Sequence, residues 1–243
     1  MITAITAHSG CEGTPLDSLD SVDMGISVGA DCVEVDVQLD EEGVPRLTHD
    51  ARADYSGTAT LESAFKRIAD TSMGINCDLK TPRALYPVLA LAKRFGLNDG
   101  RLIFSGSVSC DLLASDTDIA RDARIYLNIE EIAKYFYSAG AQDFAHALRK
   151  PWSIVDSHLD ELLENDIPLI CRAAASVGAY AVNAPYAHMT DEHIAHFAKC
   201  GTRLSLWTVN DESAQSRLLS LNLCNITTTN VRRALSIRNA IKQ

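Results

Sequence analysis

The chain has 243 residues, 47% of them hydrophobic, and a formal net charge of −10. That length suits one large domain with a sizeable core. No apolar run is long enough to span a bilayer, and the acidic balance argues against a binder of nucleic-acid backbone. The seven cysteines are scattered with no C-x-x-C pair, which points to reduced thiols in a cytoplasmic protein and away from a disulfide framework or a zinc site. The start, MITAITAHSG, has no basic stretch followed by an apolar one, so no signal peptide is expected.

In chain order, residues 2–8 (ITAITAH) read as a strand ending in His8, followed by a loop from Ser9 to Pro15. Residues 17–28 carry apolar side chains near helical spacing, with Asp17 or Ser18 placed to cap them. Residues 29–50, GADCVEVDVQLDEEGVPRLTHD, are the most informative stretch: a strand, a tight turn and a return strand ending on a histidine. Side chains alternate along a strand, so Val33, Val35 and Val37 share one face while Cys32, Glu34 and Asp36 share the other. Asp40, Glu41, Glu42 and Gly43 make the turn, and His49-Asp50 closes the stretch. Two carboxylates on one face of a core strand are costly to bury unpaired; salt bridges, solvent or a divalent cation would each satisfy them.

Residues 58–69 read as a helix, 74–80 (GINCDLK) as a strand, and 82–94 as a helix opened by Pro82. A strand at 101–105, a helix at 110–121 and a strand at 123–128 follow. Residues 129–177 read as two or three helices broken by Pro151 and Pro168. The remainder alternates: strand 180–183, helix 190–198, strand 203–210 (RLSLWTVN), helix 212–219, strand 225–228, helix 231–241. Setting aside the return strand of the hairpin, this makes eight strands, mostly each followed by a helix. Such alternation implies a parallel sheet, and eight units close into a (β/α)8 TIM-type barrel, here as one domain over residues 1–243. An open doubly wound sheet would want G-x-G-x-x-G after the first strand, and the motif is absent.

In such barrels the active site lies at the C-terminal ends of the strands. His8 ends the first strand, Glu34 and Asp36 lie late in the second, His49 ends the hairpin, Asp78 and Lys80 end the third, and Trp207 lies late in the seventh. One histidine or one tryptophan there would be ordinary structure; three consecutive strand units delivering ionisable groups to one rim point to chemistry. Three hard oxygen ligands suit Mg2+ or Ca2+, a lysine adds positive charge, and two histidines can share proton transfer. The set fits cleavage of a small phosphodiester.

The segments AHSG (7–10), GADCVEVDV (29–37), LTHD (47–50), NCDLK (76–80) and LSLWTVN (204–210) resemble the glycerophosphodiester phosphodiesterase family in order and spacing along nearly the whole chain. The resemblance implies a TIM-type barrel with one bound divalent cation, Mg2+ or Ca2+. It implies acid-base roles for His8 and His49, metal ligation by Glu34, Asp36 and Asp78, phosphate contact by Lys80, and a pocket lined by Trp207. Ser9 stands where the family has the phosphate-contacting arginine of H-R-G, and so is placed against the substrate. Three further departures are Pro15-Leu16-Asp17-Ser18 for P-E-N-T, Asp78 for glutamate, and Ile226-Thr227-Thr228 for I-T-D. Asp78-Leu79-Lys80 is closer to the related sphingomyelinase D-type phospholipases. Losing the arginine removes a bidentate clamp, and Arg52 is a candidate substitute. Two other readings are a phospho-ligand-binding barrel without catalysis and, resting on fold alone, an aldol-type enzyme with Lys80 as a Schiff base. The leaving alcohol and the oligomeric state are not legible.

Overall fold

The computed structural model of the chain describes residues 2–138 and 152–241. The strands are β1 (Ala4–Ala7), β2 (Cys32–Leu39), β3 (Pro45–Leu47), β4 (Gly74–Leu79), β5 (Leu102–Gly106), β6 (Arg124–Asn128), β7 (Ala181–Pro185), β8 (Leu204–Trp207) and β9 (Asn225–Thr228). All but β3 pair in parallel, in the order β1-β9-β8-β7-β6-β5-β4-β2, and β1 also pairs with β2. The ring therefore closes as the expected (β/α)8 barrel. β3 hangs outside it, antiparallel to β2.

The described helices are α1 (Leu19–Val28), α2 (Leu61–Ile68), α3 (Leu85–Arg94), α4 (Cys110–Ser115), α5 (Ile119–Asp122), α6 (Ile129–Ser138), α7 (Trp152–Asn165), α8 (Ile167–Ser176), α9 (Asp191–Lys199), α10 (Glu212–Leu219) and α11 (Val231–Ile241). Side-chain caps set several starts: Ser18 accepts from the Ser21 N–H, Thr60 from Ser63, and Asp211 from Ala214. The outward faces of the strands meet the inward faces of the helices. Val33, Val35 and Val37 are buried there with Phe65, Ile68 and Leu85, so the valine face is the packed one, as alternation requires. No helix among the described residues is long and apolar enough to cross a membrane.

The inward faces carry a different chemistry at each level. Cys32, Ile103, Tyr126, Ala181 and Cys224 form a separate apolar cluster. Above it the lumen is polar and hydrogen-bonded: Thr6 Oγ1 donates to Asn225 Oδ1 at 2.7 Å, and Asn225 Nδ2 to Ser205 Oγ at 3.0 Å. Nearer the C-terminal mouth come the carboxylates.

Five local expectations change. The helix over 110–121 is two, because Asp116 is extended and its side chain accepts the Asp118 N–H. Pro82 opens a short 3-10 turn before α3. Pro168 lies in the first turn of α8, where its missing N–H costs nothing, so it begins a helix instead of breaking one; Pro151 lies outside the described residues. β7 continues past Asn183 to Pro185. β8 stops at Trp207, beyond which the chain crosses toward β9, with Val209 N–H on the Thr227 carbonyl at 2.8 Å.

Candidate active site

Register decides which side chains meet. In the parallel pairing of β2 with β4, Glu34 stands beside Asn76 and Asp36 beside Asp78. The two aspartates therefore enter the lumen at one level, with Glu34 one inward step below. Carboxylate oxygens of Glu34, Asp36 and Asp78 all lie within 4.8 Å of one another. Lys80 Nζ sits 2.9 Å from Asp36 Oδ1 and also bonds Asp78 Oδ2. Behind Asp78, Ser105 Oγ donates to Oδ1 at 2.9 Å and receives Asn76 Nδ2 at 3.0 Å.

These groups line one cavity of about 470 Å³ at the barrel mouth, together with His8, His49, Trp207, Glu131 and Lys134. His8 Nδ1 is 2.8 Å from the Ser9 carbonyl. A carbonyl only accepts, so Nδ1 carries the proton there and Nε2 is left for exchange. His49 comes from the loop after β3, with Nδ1 2.8 Å from Asp50 Oδ1. The Asn183 amide, oriented to satisfy both neighbours, gives its nitrogen to Ser205 Oγ at 2.8 Å and its oxygen to the Trp207 indole N–H at 3.2 Å.

Seven of the eight residues expected at the site thus border the same space. Ser9 does not. It is 2% exposed, and its hydroxyl faces Asp17, with Oγ 3.1 Å from Oδ1. Arg52 is turned away as well: Nε donates to Thr48 Oγ1 at 3.0 Å, and the residue borders a separate groove on the other side of His49. Sequence reading passed over Asp50, Ser105 and Asn183. The H-D dipeptide and the inward phase of β5 and β7 are the signals that could have found them.

The electrostatics are those of crowded acids. Burial, then the neighbouring charges of Asp78 and Asp36, push the Glu34 carboxyl up to about 8 although His8 pulls the other way. Burial, with Asp78 adding, pushes Asp36 up to about 6 against the pull of Lys80. Burial works against the charge on Lys80, but Asp78 and Asp36 outweigh it and hold the ammonium well above the ordinary lysine range. Burial likewise opposes protonation of His8, and Glu34 with the Ser9 carbonyl more than offsets it, so the imidazole is held above its usual value.

Three hard oxygen donors, close together and reluctant to ionise side by side, fit a divalent cation. The sign is testable. A carboxyl whose folded value is raised stabilises the protein below its unfolded value, and that contribution is lost as pH rises through the folded one. Cation-free protein is therefore expected to lose thermal stability from this site between about pH 4 and pH 8. Binding a cation displaces those protons, so the gain in Tm from millimolar Mg2+ or Ca2+ over EDTA should be larger at pH 8 than at pH 6. Equal gains at both would refute the coupling.

No protein-family model matches the chain, and no curated protein does. Solved structures do match. A glycerophosphodiester phosphodiesterase from Parabacteroides distasonis ATCC 8503 aligns over 99% of this chain and 98% of its own, with TM-score 0.71 and 17% identity. An Oleispira antarctica phosphodiesterase, in complex with its product sn-glycerol-3-phosphate, aligns over 98% and 97% with TM-score 0.70 and 17% identity. The enzyme from Thermotoga maritima aligns over 98% and 99% with TM-score 0.69 and 18% identity. At such identities the likeness is one of fold: the chain has the same (β/α)8 barrel from end to end.

Proposed function

We propose that this barrel is a metal-dependent phosphodiesterase that hydrolyses a glycerophosphodiester to an alcohol and glycerol phosphate. The observation that carries the reading is the convergence of Glu34, Asp36 and Asp78 within 4.8 Å, in one cavity with His8, His49 and Lys80. The fold shared with diesterases supports it.

Glu34, Asp36 and Asp78 would hold one divalent cation, Mg2+ or Ca2+, which neutralises phosphate charge and polarises the phosphoryl oxygen when bound. This chain's own groups do the rest. Lys80, held charged by its two aspartates, faces the negative charge that builds at phosphorus. His49, with Nδ1 beside Asp50, takes the proton of the attacking water, or of a substrate hydroxyl whose attack gives a cyclic phosphate that water then opens to glycerol phosphate. His8, with Nδ1 on the Ser9 carbonyl and its basicity raised, delivers a proton from Nε2 to the departing alkoxide. Trp207, braced by Asn183, forms the apolar wall against the alcohol.

The test is direct. Purified protein with Mg2+ or Ca2+ is expected to release alcohol from at least one of a panel of glycerophosphodiesters and lysophospholipid diesters, and EDTA to stop it. No release from the whole panel would end the reading. A second reading, a barrel that binds a phosphorylated ligand without cleaving it, is favoured by Ser9, which is buried and turned to Asp17 where the family pattern has an arginine. Tight binding of a diester recovered intact would select it.

A further inference from the structure

Two departures from the family pattern, Ser9 after His8 and Asp17 within Pro15-Leu16-Asp17-Ser18, touch each other. The Asp17 backbone N–H donates to Ser9 Oγ at 2.7 Å, and the Ser9 hydroxyl donates to Asp17 Oδ1 at 3.1 Å. The other carboxylate oxygen, Oδ2, accepts the backbone N–H of His49 at 3.0 Å, 32 residues further on. One acid thereby ties the loop after β1 to the loop after β3.

The tie is held under strain. Asp17 has a φ of 51°, in the left-handed region that a Cβ disfavours. Strained backbone persists where the surroundings over-determine it, and here the buried Ser9 hydroxyl is what determines it. Two other contacts on this loop are longer: Gln38 Nε2 donates to the His49 carbonyl at 3.4 Å and Thr48 Oγ1 to the Asp50 carbonyl at 3.2 Å. The His49 side chain is 64% exposed and that of its partner Asp50 is 85% exposed, a setting in which ion pairs hold weakly. Thr48, just before it, hangs on the Asp36 carbonyl at 3.1 Å, so the Asp17 carboxylate is the anchor that continues the line to His49 itself.

We propose that Asp17 is a positioning residue for His49, and that Ser9 serves as the strut that aims Asp17. The proposal rests on the reading of His49 as a proton carrier. It also accounts for the two departures together: the position after His8 no longer meets phosphate because it braces the opposite loop.

Asp17→Gly removes the carboxylate and relieves the positive φ, so the protein should stay folded. Asp17→Asn keeps one acceptor for the His49 N–H and an amide N–H for Ser9 Oγ. Misplacing a proton carrier by a fraction of an ångström to an ångström lowers turnover more than binding, so kcat of the glycine variant should fall about 10- to 100-fold with KM changed less than about threefold. The asparagine variant should keep kcat within about threefold. A glycine variant as active as the parent, or an asparagine variant as impaired as the glycine one, overturns the proposal. Exchange of the His49 amide proton by NMR reads the same contact without substrate. About tenfold faster exchange in the glycine variant, with parental exchange in the asparagine one, supports the anchor; equal exchange in all three overturns it. Should the parent protein cleave no diester, the functional reading falls while the exchange still decides the anchor.

Discussion

Replacing His8 with glutamine is expected to lower kcat for diester cleavage by about 10²- to 10⁴-fold. Glutamine retains polar volume and can still reach the Ser9 carbonyl, which His8 Nδ1 meets at 2.8 Å, but it has no proton to give near neutral pH. Two signatures separate a lost proton donor from a merely disturbed site. First, the deficit should shrink for a diester whose alcohol is acidic, such as a nitrophenyl ester, because that leaving group departs without protonation. Second, with His8 as donor the rate falls as pH rises through its raised value, and that limb should vanish in the variant. A variant within about threefold of the parent, or one that keeps the high-pH limb, would remove His8 from the proton path.

How far the site could be read from sequence depended on the kind of contact. Period-two alternation alone separated Val33, Val35 and Val37 from Glu34 and Asp36, and the strand carried it out with the valines in the helix-facing core. Strand ends were legible too, since His8, Asp78, Lys80 and Trp207 each border the cavity. Register was not. That Asp36 stands beside Asp78 follows from how β2 and β4 pair, and a one-residue slip would have sent one acid outward. Side-chain partners across loops were the least legible. Ser9 faces Asp17 and not a ligand, across a turn in which Asp17 adopts a positive φ, and nothing in the residue string marks that contact. The long helix expected over 110–121 failed for a local reason: the Asp116 side chain captures the Asp118 N–H and competes with the helix.

Gly106→Ala is expected to damage both stability and the acidic cluster, though it lies outside that cluster. Gly106 ends β5 beside Leu79 at a φ of 76°. A Cβ there would overlap Asp78 Oδ1 and the Leu79 carbonyl oxygen, and lie 2.9 Å from the Leu79 nitrogen. The backbone atoms sit in the β4–β5 ladder and cannot yield, so the Asp78 carboxylate must, breaking its bond with Ser105 Oγ and its alignment with Asp36. Left-handed strain of about 1–2 kcal/mol and overpacking of about 1–3 kcal/mol together give a loss of roughly 3 kcal/mol, or about 6–12 °C in Tm for a chain of this size. Gly201→Ala is the control: its φ is 73° but nothing lies within 4 Å of an added Cβ, so it should show the strain alone. The decisive comparison is the Tm gain from Mg2+ or Ca2+, which should survive in the Gly201 variant and disappear in the Gly106 variant along with activity. Equal cation-induced gains in both would mean that Asp78 is not held for a cation by the close approach at Gly106.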